Sequence, residues 1–414
     1  MDITTMRRVD GWIGTPVCAC LTALRWVSDP FRRPMPDKPQ RLLVVKLAEQ
    51  GATVVAYSAL RRATEMVGPE NVFFVVFAEN RFILDQLDLL PPENVVELRT
   101  TGFFRLAKDL LAALRRFRRE RIDTAVDFEY YARASAILTY LCGAVRRVGF
   151  HSFAGEASYR GNLMTHRLVF NPFLHASQVF RVLVEAVNIP PERLPAIESG
   201  PWDDEQPPLI HPSPEERQEV ERIVRDAAGR DSLPPLVLLN ANTGDLLPLR
   251  RWASERYIEL AHRLLSRYPE MVIGLTGSPA EAAAAQQLAD EVGSERCVNL
   301  GGKTTLRQLL TLYFLAEVMV TNDSGPAHYS ALSPIDVVTL FGPETPAAFG
   351  SLSPRSHLFW AGVPCSPCIN AFNDRWSPCQ DNICMQRISV DEVFERVCEI
   401  YAGRRARAEG AVLS

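Results

Sequence analysis

A short polar stretch, residues 321–328, has the residue types of an anion-binding turn. It reads Thr-Asn-Asp-Ser-Gly-Pro-Ala-His and follows an apolar run at 316–320 that is predicted to be a strand. Asp323 and Ser324 suit a helix N-cap, and Gly325 lets the backbone approach a ligand closely. Free N–H groups in a first helical turn favour an anion, and open α/β sheets bind ligands at the carboxyl ends of their strands. A capped, buried helix without a ligand explains the same residues, so both interpretations stay open.

Two more polar turns follow predicted strands in the same half of the chain. Asn242 and Thr243 come directly after the apolar run 236–240, and Arg250 follows a few residues later. Hydroxyl and backbone donors followed by a guanidinium suit a pyrophosphate. A polar loop with a surface arginine is an equally simple interpretation. Glu281 follows the next predicted strand, where on its own it would serve the dipole of a helix.

The stretch 321–328, followed by Leu-Phe-Gly-Pro-Glu-Thr-Pro at 340–346, resembles the donor-site signature of the family 9 glycosyltransferases. These are the heptosyltransferases and their relatives, and the resemblance covers most of residues 41–400 with several motifs in the same order. It implies an α/β chain of the GT-B fold, in which two Rossmann-like, doubly wound parallel-sheet domains face a central cleft. It also implies inverting transfer from a nucleotide sugar such as ADP-heptose to a lipopolysaccharide or related lipid-linked glycan. The resembling enzymes mostly need no metal ion, so catalysis is expected to need no cofactor.

The resemblance assigns donor-binding roles to several of these residues. Arg250 matches the family's phosphate-binding cation, and Glu281 matches a glutamate that binds the ribose hydroxyls. His328 matches the motif histidine, although a histidine packed within its helix is an equally good interpretation. The family has a proline three residues after the cation, and this chain has Ala253 there. The predicted donor-binding residues are Asn242, Thr243, Arg250, Glu281, Asp323, Ser324, Gly325 and His328.

The turn after the first predicted strand departs from the family. Heptosyltransferases typically carry Gly-Asp there, and that aspartate is taken as the base acting on the acceptor hydroxyl, whereas this chain has Gly51 and Ala52. Alanine cannot accept a proton, so we predict that Glu49, earlier in the same turn, is the catalytic base. Lys46 is close enough in sequence to compensate the negative charge of Glu49. The alternative is that Glu49 merely caps the next helix.

A basic helix face is predicted in the first half of the chain. Apolar residues recur at helical spacing over 106–117, and the other face is rich in lysine and arginine. Such a face is most often simply solvated. The functional interpretation is a landing site for a phosphorylated or acidic acceptor, formed by Arg115 and Arg118 together with Lys46 and Gly51.

Four of the nine cysteines form a cluster. Cys365 and Cys368 make one close pair, and Cys379 and Cys384 make a second. Two close pairs in an intracellular chain indicate first a structural zinc site. Disulfides or plain thiols are the alternative, and neither gives the cluster a part in sugar transfer.

Residues 1–40 stand apart from the rest of the chain. An apolar face runs from Ile13 to Val27, with Trp12 and Trp26 near its ends and arginines flanking it. This composition suits an amphipathic helix on an anionic membrane surface, and a helix packed on the protein's own body is the alternative. No apolar run is long enough to span a bilayer and no signal peptide is recognised, so we predict a cytoplasmic chain, peripheral on the inner face of the inner membrane.

Length and charge limit the class of protein. A chain of 414 residues is too long for one ordinary domain, and its net charge of -4 argues against a partner that is a nucleic acid. Strands alternating with helices indicate doubly wound parallel sheets. The predicted parts are 1–40, an amphipathic segment and linker; 41–195, an acceptor-side domain; 196–234, a linker and connecting helix; 235–387, a donor domain; and 388–414, a C-terminal crossover helix and tail.

Two hypotheses of different class follow from these observations. The leading one is an inverting glycosyltransferase that uses a nucleotide sugar. The alternative is a catalytically silent relative that binds nucleotide sugar or glycan without transfer. A non-hydrolysing sugar epimerase shares the two-domain fold, but no set of acids and histidines in the sequence supports it.

Overall fold

The chain folds into two compact units, each built on its own sheet. The first unit is Met1–Gln206 with Ile369–Ser377, and the second is Pro207–Cys368 with Pro378–Ser414. The computed structural model describes residues 5, 8–31, 34–194, 197, 200, 202, 205–243 and 247–412.

The first unit contains a parallel sheet with the strand order β3-β2-β1-β4-β5-β6. The chain builds outward from β1 to β3, crosses to β4, and builds outward again to β6, which is the doubly wound arrangement. All four residues of β1 are buried because helices cover both faces of the sheet. The strands are β1 (Leu42–Val45), β2 (Val72–Phe77), β3 (Val95–Leu98), β4 (Thr124–Asp127), β5 (Arg146–Phe150) and β6 (His166–Leu168).

Most helices of the first unit connect these strands. The helices are α1 (Thr15–Ser28), α2 (Gln50–Val55), α3 (Tyr57–Val67), α4 (Arg81–Leu87), α5 (Phe103–Arg119), α6 (Arg133–Leu141) and α7 (Ala176–Glu185). Of these, α1 precedes β1 and α7 follows β6. Phe117 of α5 and Leu138 of α6 share one buried core with Leu43 and Val45 of β1. These two helices therefore cover the same face of the sheet, and the right-handed β1–α3–β2 crossover puts α3 on the other face.

The N-terminal helix packs on the body of the first unit. A π-helical turn, Asp10–Gly14, precedes α1, and Cys18 of α1 is fully buried in a small core shared with α6. The carboxylate of Asp10 accepts a hydrogen bond of 2.7 Å from the backbone N–H of Ala134 in the first turn of α6. At the other end of α1, Arg25 donates to the carbonyl of Met164 over 2.8 Å. This inner face matches the alternative interpretation of the segment, a helix packed on its own protein.

The outer face of the same helix remains exposed. Trp12 is 85% exposed, Trp26 72% and Val27 68%. The composition of this face still suits a membrane surface, so the two interpretations of the segment concern different faces of one helix. None of the helices within the described ranges is long and apolar enough to cross a membrane.

The second unit repeats the architecture with the strand order β12-β11-β10-β7-β8-β9. All of its strand pairs are parallel, so this sheet is also doubly wound. The two sheets confirm the predicted fold class. The strands are β7 (Leu236–Asn240), β8 (Val272–Leu275), β9 (Cys297–Asn299), β10 (Val318–Asn322), β11 (Asp336–Phe341) and β12 (Ser356–Trp360).

Capping boxes begin two helices of the second unit and the 3-10 turn that leads into a third. Ser213 caps α8, Thr305 caps α11, and Ser278 caps the 3-10 turn in front of α10, each with an acid or amide three residues on. The helices are α8 (Pro214–Ala228), α9 (Ser254–Arg267), α10 (Ala282–Val292), α11 (Leu306–Leu315), α12 (Gly325–Tyr329), α13 (Pro346–Phe349), α14 (Ile383–Gln386) and α15 (Val390–Val412).

The division into units differs from the predicted parts in several places. The C-terminal helix α15 is part of the second unit, because Val393 and Val397 are buried in the core of that unit. The short segment Ile369–Ser377, predicted within the donor domain, belongs instead to the first unit. The break at Gln206 falls inside the proline-rich stretch 190–214, where the sequence indicates a boundary.

Candidate functional site

The second sheet brings Arg250 together with two buried carboxylates. Its Nη1 atom lies 3.2 Å from Asp323 Oδ2 and 3.2 Å from Glu344 Oε2. Asp323 directly follows β10 and Glu344 closely follows β11, so the group lies at the carboxyl edge of the sheet. Arg250 and Asp323 are predicted donor-binding residues. Glu344 is not among the predicted residues, although it lies in the motif 340–346.

This cluster fixes Arg250 and also offsets its charge. The side chains of Asp323 and Glu344 are 2% and 3% exposed, so their charges depend on the guanidinium. The Nε of Arg250 is buried and has no hydrogen-bond partner among the residues that the structure describes. A buried donor of this kind suits an anionic oxygen. Thr243 is 6% exposed, and the loop residues 244–246 after it lie outside the described ranges.

Asn322, the last residue of β10, ties together the loop that carries the predicted donor residues. Its Oδ1 accepts from the backbone N–H of Trp252 over 2.9 Å, and its Nδ2 donates to the carbonyl of Ala241 over 3.0 Å. Trp252 is fully buried, and its indole donates to the carbonyl of Ile388 over 3.0 Å. Trp252 therefore belongs to the core of the second unit.

A cavity of about 210 Å³ opens at the carboxyl ends of β7 and β8. Asn242 and Glu281 line it together with apolar side chains such as Leu275 and Leu288. Glu281 Oε2 accepts from both the backbone N–H and the hydroxyl of Ser278, each over 2.8 Å. Glu281 thus closes a capping box, as its position in a first turn predicts, and presents its carboxylate to the cavity. A small space lined by both apolar and polar side chains, with Arg251, Ser254 and Thr276 among the polar ones, suits part of a nucleotide.

The turn that opens the donor signature differs from the predicted capped helix. Ser324 occupies the N-cap position of α12, but its side chain makes no capping bond, and its hydroxyl donates to the carbonyl of Asn322 over 3.1 Å. The helix α12 has only five residues. A Cβ at Gly325 would lie 2.6 Å from the hydroxyl of Tyr329, so glycine makes room for that side chain. His328 lies partly buried within this short helix.

A second charged group lies at the carboxyl edge of the first sheet. Lys46 Nζ lies 3.1 Å from Glu129 Oε2 and 3.4 Å from Glu49 Oε2, and Lys46 is 1% exposed. Burial acts to lower the pKa of Lys46, but the charges of Glu129 and Glu49 outweigh it and raise that pKa above its ordinary value. The guanidinium of Arg375 pairs with Glu49 Oε1. The predicted base therefore lies between two cations.

Glu49 does not cap the following helix. It occupies the N-cap position of α2 with a left-handed backbone, at φ 69°, but its side chain makes no capping bond. The helix begins at Gln50, so Gly51 and Ala52 lie inside it and not in a preceding turn. Gly51 is buried, whereas Ala52 is partly exposed. The structure thus contradicts the capping interpretation of Glu49.

Two other acids at this edge are committed to structural bonds. Glu129 Oε1 accepts from the backbone N–H of Leu47 over 2.8 Å, in addition to the Lys46 contact of its other oxygen. Asp127 is fully buried, pairs with Arg160 and accepts from the hydroxyl of Ser135 over 2.9 Å. Burial raises the pKa of Asp127 to about 6, against the opposing effect of Arg160. Neither acid stands out in the sequence, since each lies near the end of an ordinary apolar strand.

The structure does not bring Arg115 and Arg118 to the other predicted acceptor residues. Both lie near the C-terminal end of α5, which leads to the amino end of β4. Arg118 Nη2 donates to the carbonyl of Leu141 at the end of α6. Lys46 follows the carboxyl end of β1, so the length of a strand separates it from these arginines. They belong to a solvated basic surface, as such faces usually do.

None of the four cysteines of the cluster is joined in a disulfide within the described part of the chain. Cys365 is exposed and Cys384 is buried, and burial raises the pKa of the Cys384 thiol to about 11. Cys368 and Cys379 lie close enough for their charges to affect it as well. Among the residues described, no group of three or more His, Cys, Asp or Glu side chains is arranged to hold a metal ion. The zinc site stays a prediction.

The sequence also matches a known protein family. The sequence profile of glycosyltransferase family 9 (heptosyltransferase) matches residues 111–375, more than half of the chain. Lipopolysaccharide heptosyltransferase 2 of Salmonella typhimurium is 33% identical over 114 residues, which are 27% of this chain and 32% of that protein. The aligned part thus spans about one third of the length of the curated relatives.

Solved structures show the same fold over most of the chain. The structure of Escherichia coli ADP-heptose lipopolysaccharide heptosyltransferase II matches 88% of this chain and 100% of its own, with a TM-score of 0.66 at 18% identity. Escherichia coli heptosyltransferase WaaC with ADP matches 87% of this chain and 100% of its own, with a TM-score of 0.57 at 18% identity. These likenesses support the GT-B class.

Proposed function

Because the chain belongs to glycosyltransferase family 9, we propose that it transfers a heptose or related sugar from a nucleotide sugar to a lipopolysaccharide or related lipid-linked glycan. The observation that carries the proposal is the carboxyl edge of the second sheet. There the cavity lined by Asn242 and Glu281 lies on the same edge as the Arg250 cluster. The adenine nucleotide is proposed from the relative solved with ADP, so the donor is ADP-heptose or a close analogue.

The proposed reaction is a single displacement that inverts the anomeric carbon. The acceptor hydroxyl oxygen attacks that carbon, the bond to the diphosphate breaks, and the diphosphate leaves with the electron pair. Glu49 takes the proton of the hydroxyl as general base. Arg250 donates to the diphosphate oxygens and offsets the charge that develops there, while Glu281 binds the ribose hydroxyls. The proposal assigns no step to a metal ion.

The experiment that tests this function measures release of free nucleotide. The purified chain is incubated with ADP-heptose, and separately with other nucleotide sugars, with and without a heptose-deficient lipopolysaccharide acceptor. Nucleotide release that depends on the acceptor supports transfer. Calorimetric binding of a nucleotide sugar without any release supports the alternative, a catalytically silent relative. Neither binding nor release with any donor would contradict both.

We expect Glu281→Ala to weaken nucleotide-sugar binding by about tenfold or more, since one charge-assisted hydrogen bond is worth about 1.5–3 kcal/mol. Calorimetry with the intact donor measures this. Ser278→Ala is the matched control, because it breaks the same capping box and leaves the carboxylate in the cavity. Equal affinity of Glu281→Ala and the parent chain would remove Glu281 from the donor site.

The exposed face of α1 supports a proposed contact with an anionic membrane surface on the cytoplasmic side. Deleting the segment would uncover Cys18 and the small core around it, so substitution is the cleaner test. We expect Trp12→Ser with Trp26→Ser to reduce flotation with anionic vesicles, because interfacial tryptophans supply much of such binding. Leu358→Ser, an exposed apolar residue of the second unit, serves as control. A parent chain that ignores the vesicles would show that α1 is a packing element only.

The zinc prediction has a direct measurement. A closed four-cysteine site would give about one zinc per purified chain, and Cys365→Ser with Cys368→Ser would remove it. Cys398→Ser, outside the cluster, is the control. Metal analysis that finds none, with all four thiols reactive in the folded chain, would reject the site.

A further inference from the structure

The segment Ile369–Ser377 packs on the first unit, although the chain on both sides of it belongs to the second. We call this segment the strap. The ring of Phe372 packs against Tyr131 and Phe170, with centroids 6.0 Å and 5.2 Å apart. Tyr131 comes shortly after β4 and Phe170 shortly after β6, so the strap lies at the carboxyl edge of the first sheet.

The strap has a defined internal shape. The backbone carbonyl of Asn370 accepts a hydrogen bond from the backbone N–H of Arg375 over 3.1 Å. The side-chain oxygen of Asn370 accepts a second one from the backbone N–H of Phe372 over 2.9 Å. Asp374 accepts from the hydroxyl of Ser158 in the first unit over 2.7 Å. Asp374 and Arg375 have left-handed backbones, at φ 52° and 55°. Residues other than glycine keep such conformations only where their surroundings determine them, and these residues concentrate at functional sites.

This turn presents Arg375 to Glu49. The guanidinium pairs with Glu49 Oε1 and lies over the ring of Tyr130, 6.0 Å from its centroid. The other oxygen of Glu49 is 3.4 Å from Lys46 Nζ. The two oxygens are therefore held by two different cations, and both members of the Glu49–Arg375 pair have left-handed backbones.

We propose that Arg375 is a positioning residue that fixes the orientation of the Glu49 carboxylate towards the acceptor hydroxyl. This inference rests on the proposed function, in which Glu49 removes the proton of that hydroxyl. A carboxylate held at both oxygens has one orientation, and a misplacement of about 1 Å in a reacting group can cost about 10²-fold in rate. The charged groups around Glu49 are Arg375, Lys46 and, through Lys46, Glu129.

The test compares Arg375→Ala and Arg375→Lys with Arg387→Ala, an exposed arginine outside the strap. Arg375→Ala is expected to lower kcat by about tenfold to hundredfold with the KM for the donor unchanged. Arg375→Lys recovers part of the rate, because lysine keeps the charge without the planar fork. Arg387→Ala keeps the parent rate. A change confined to KM, or no change with Arg375→Ala, would overturn the inference.

A double variant shows whether Arg375 acts through Glu49. In a Glu49→Gln background, Arg375→Ala should add no further loss of kcat, since the base is already absent. If the kcat losses of the two single variants multiply in the double variant, Arg375 has an independent role and the inference is overturned. The same holds if Arg375→Ala lowers kcat while Glu49→Gln leaves kcat unchanged.

Thermal unfolding separates failure of this inference from failure of the proposed function. A parent chain that never transfers sugar contradicts the function, and the contact is then judged from unfolding midpoints. The double variant should unfold at the midpoint of the less stable single variant, because each substitution breaks the same pair. Midpoint losses that simply add would overturn the pairing itself.

Discussion

Glu49→Gln should lower the turnover of sugar transfer by about 10²–10⁴-fold while donor affinity stays nearly unchanged, which is the usual contribution of general-base catalysis. The amide keeps the size of the side chain but cannot take up the proton of the acceptor hydroxyl. Steady-state kinetics with a heptose-deficient lipopolysaccharide, together with calorimetry for the donor, measures the two quantities. The prediction depends on Glu129 and Asp127 being committed to structural bonds at the same edge.

Restoring the family's aspartate provides a second arm of this test. Ala52 is partly exposed within α2, so Ala52→Asp places a carboxylate there without burying it fully. In the Glu49→Gln background this change should recover part of the rate. Glu93→Gln, an exposed glutamate of the same unit, is the matched control and should transfer at the parent rate. A Glu49→Gln variant as fast as the parent would show that Glu49 is not the base.

Much of the fold follows from local patterns in the sequence. Apolar runs such as 236–240 coincide with buried strands, because parallel strands covered on both faces carry no polar alternation. Boundaries were less predictable: the strand predicted at 316–320 is Val318–Asn322, since the polar Thr321 and Asn322 pair with neighbouring strands. The placement of α15 depends on long-range packing that periodicity does not report.

The candidate site also contains residues that the sequence predicts and residues that only the structure brings together. Arg250, Glu281 and Asp323 could be predicted because each follows a strand and matches a motif. Glu344 lies in a quoted motif, but only the structure shows that its carboxylate shares the guanidinium of Arg250. Arg375 is separated from Glu49 by 326 positions in the sequence, so no local pattern could pair them.

Arg250→Ala should lower nucleotide-sugar affinity by about tenfold to hundredfold, through two effects that act in the same direction. The lost charge-assisted hydrogen bond to the diphosphate is worth about 1.5–3 kcal/mol. The carboxylates of Asp323 and Glu344 also lose their shared cation and then repel the diphosphate. Removing one partner of a buried pair typically costs about 3–5 kcal/mol, so the free energy of unfolding should fall as well. Calorimetry and denaturant titration measure the two quantities.

Charge removal distinguishes the two effects on donor affinity. Adding Glu344→Gln to Arg250→Ala removes one of the two carboxylates that have lost the guanidinium, so it should restore part of the stability and of the affinity, but not the share of the affinity that depends on the guanidinium. Arg263→Ala, which breaks a surface pair with Asp391 in the same unit, should leave both quantities near the parent values. If Arg250→Ala is destabilised yet binds the donor as tightly as the parent, then Arg250 only neutralises its two carboxylates, and the diphosphate must be held by other groups.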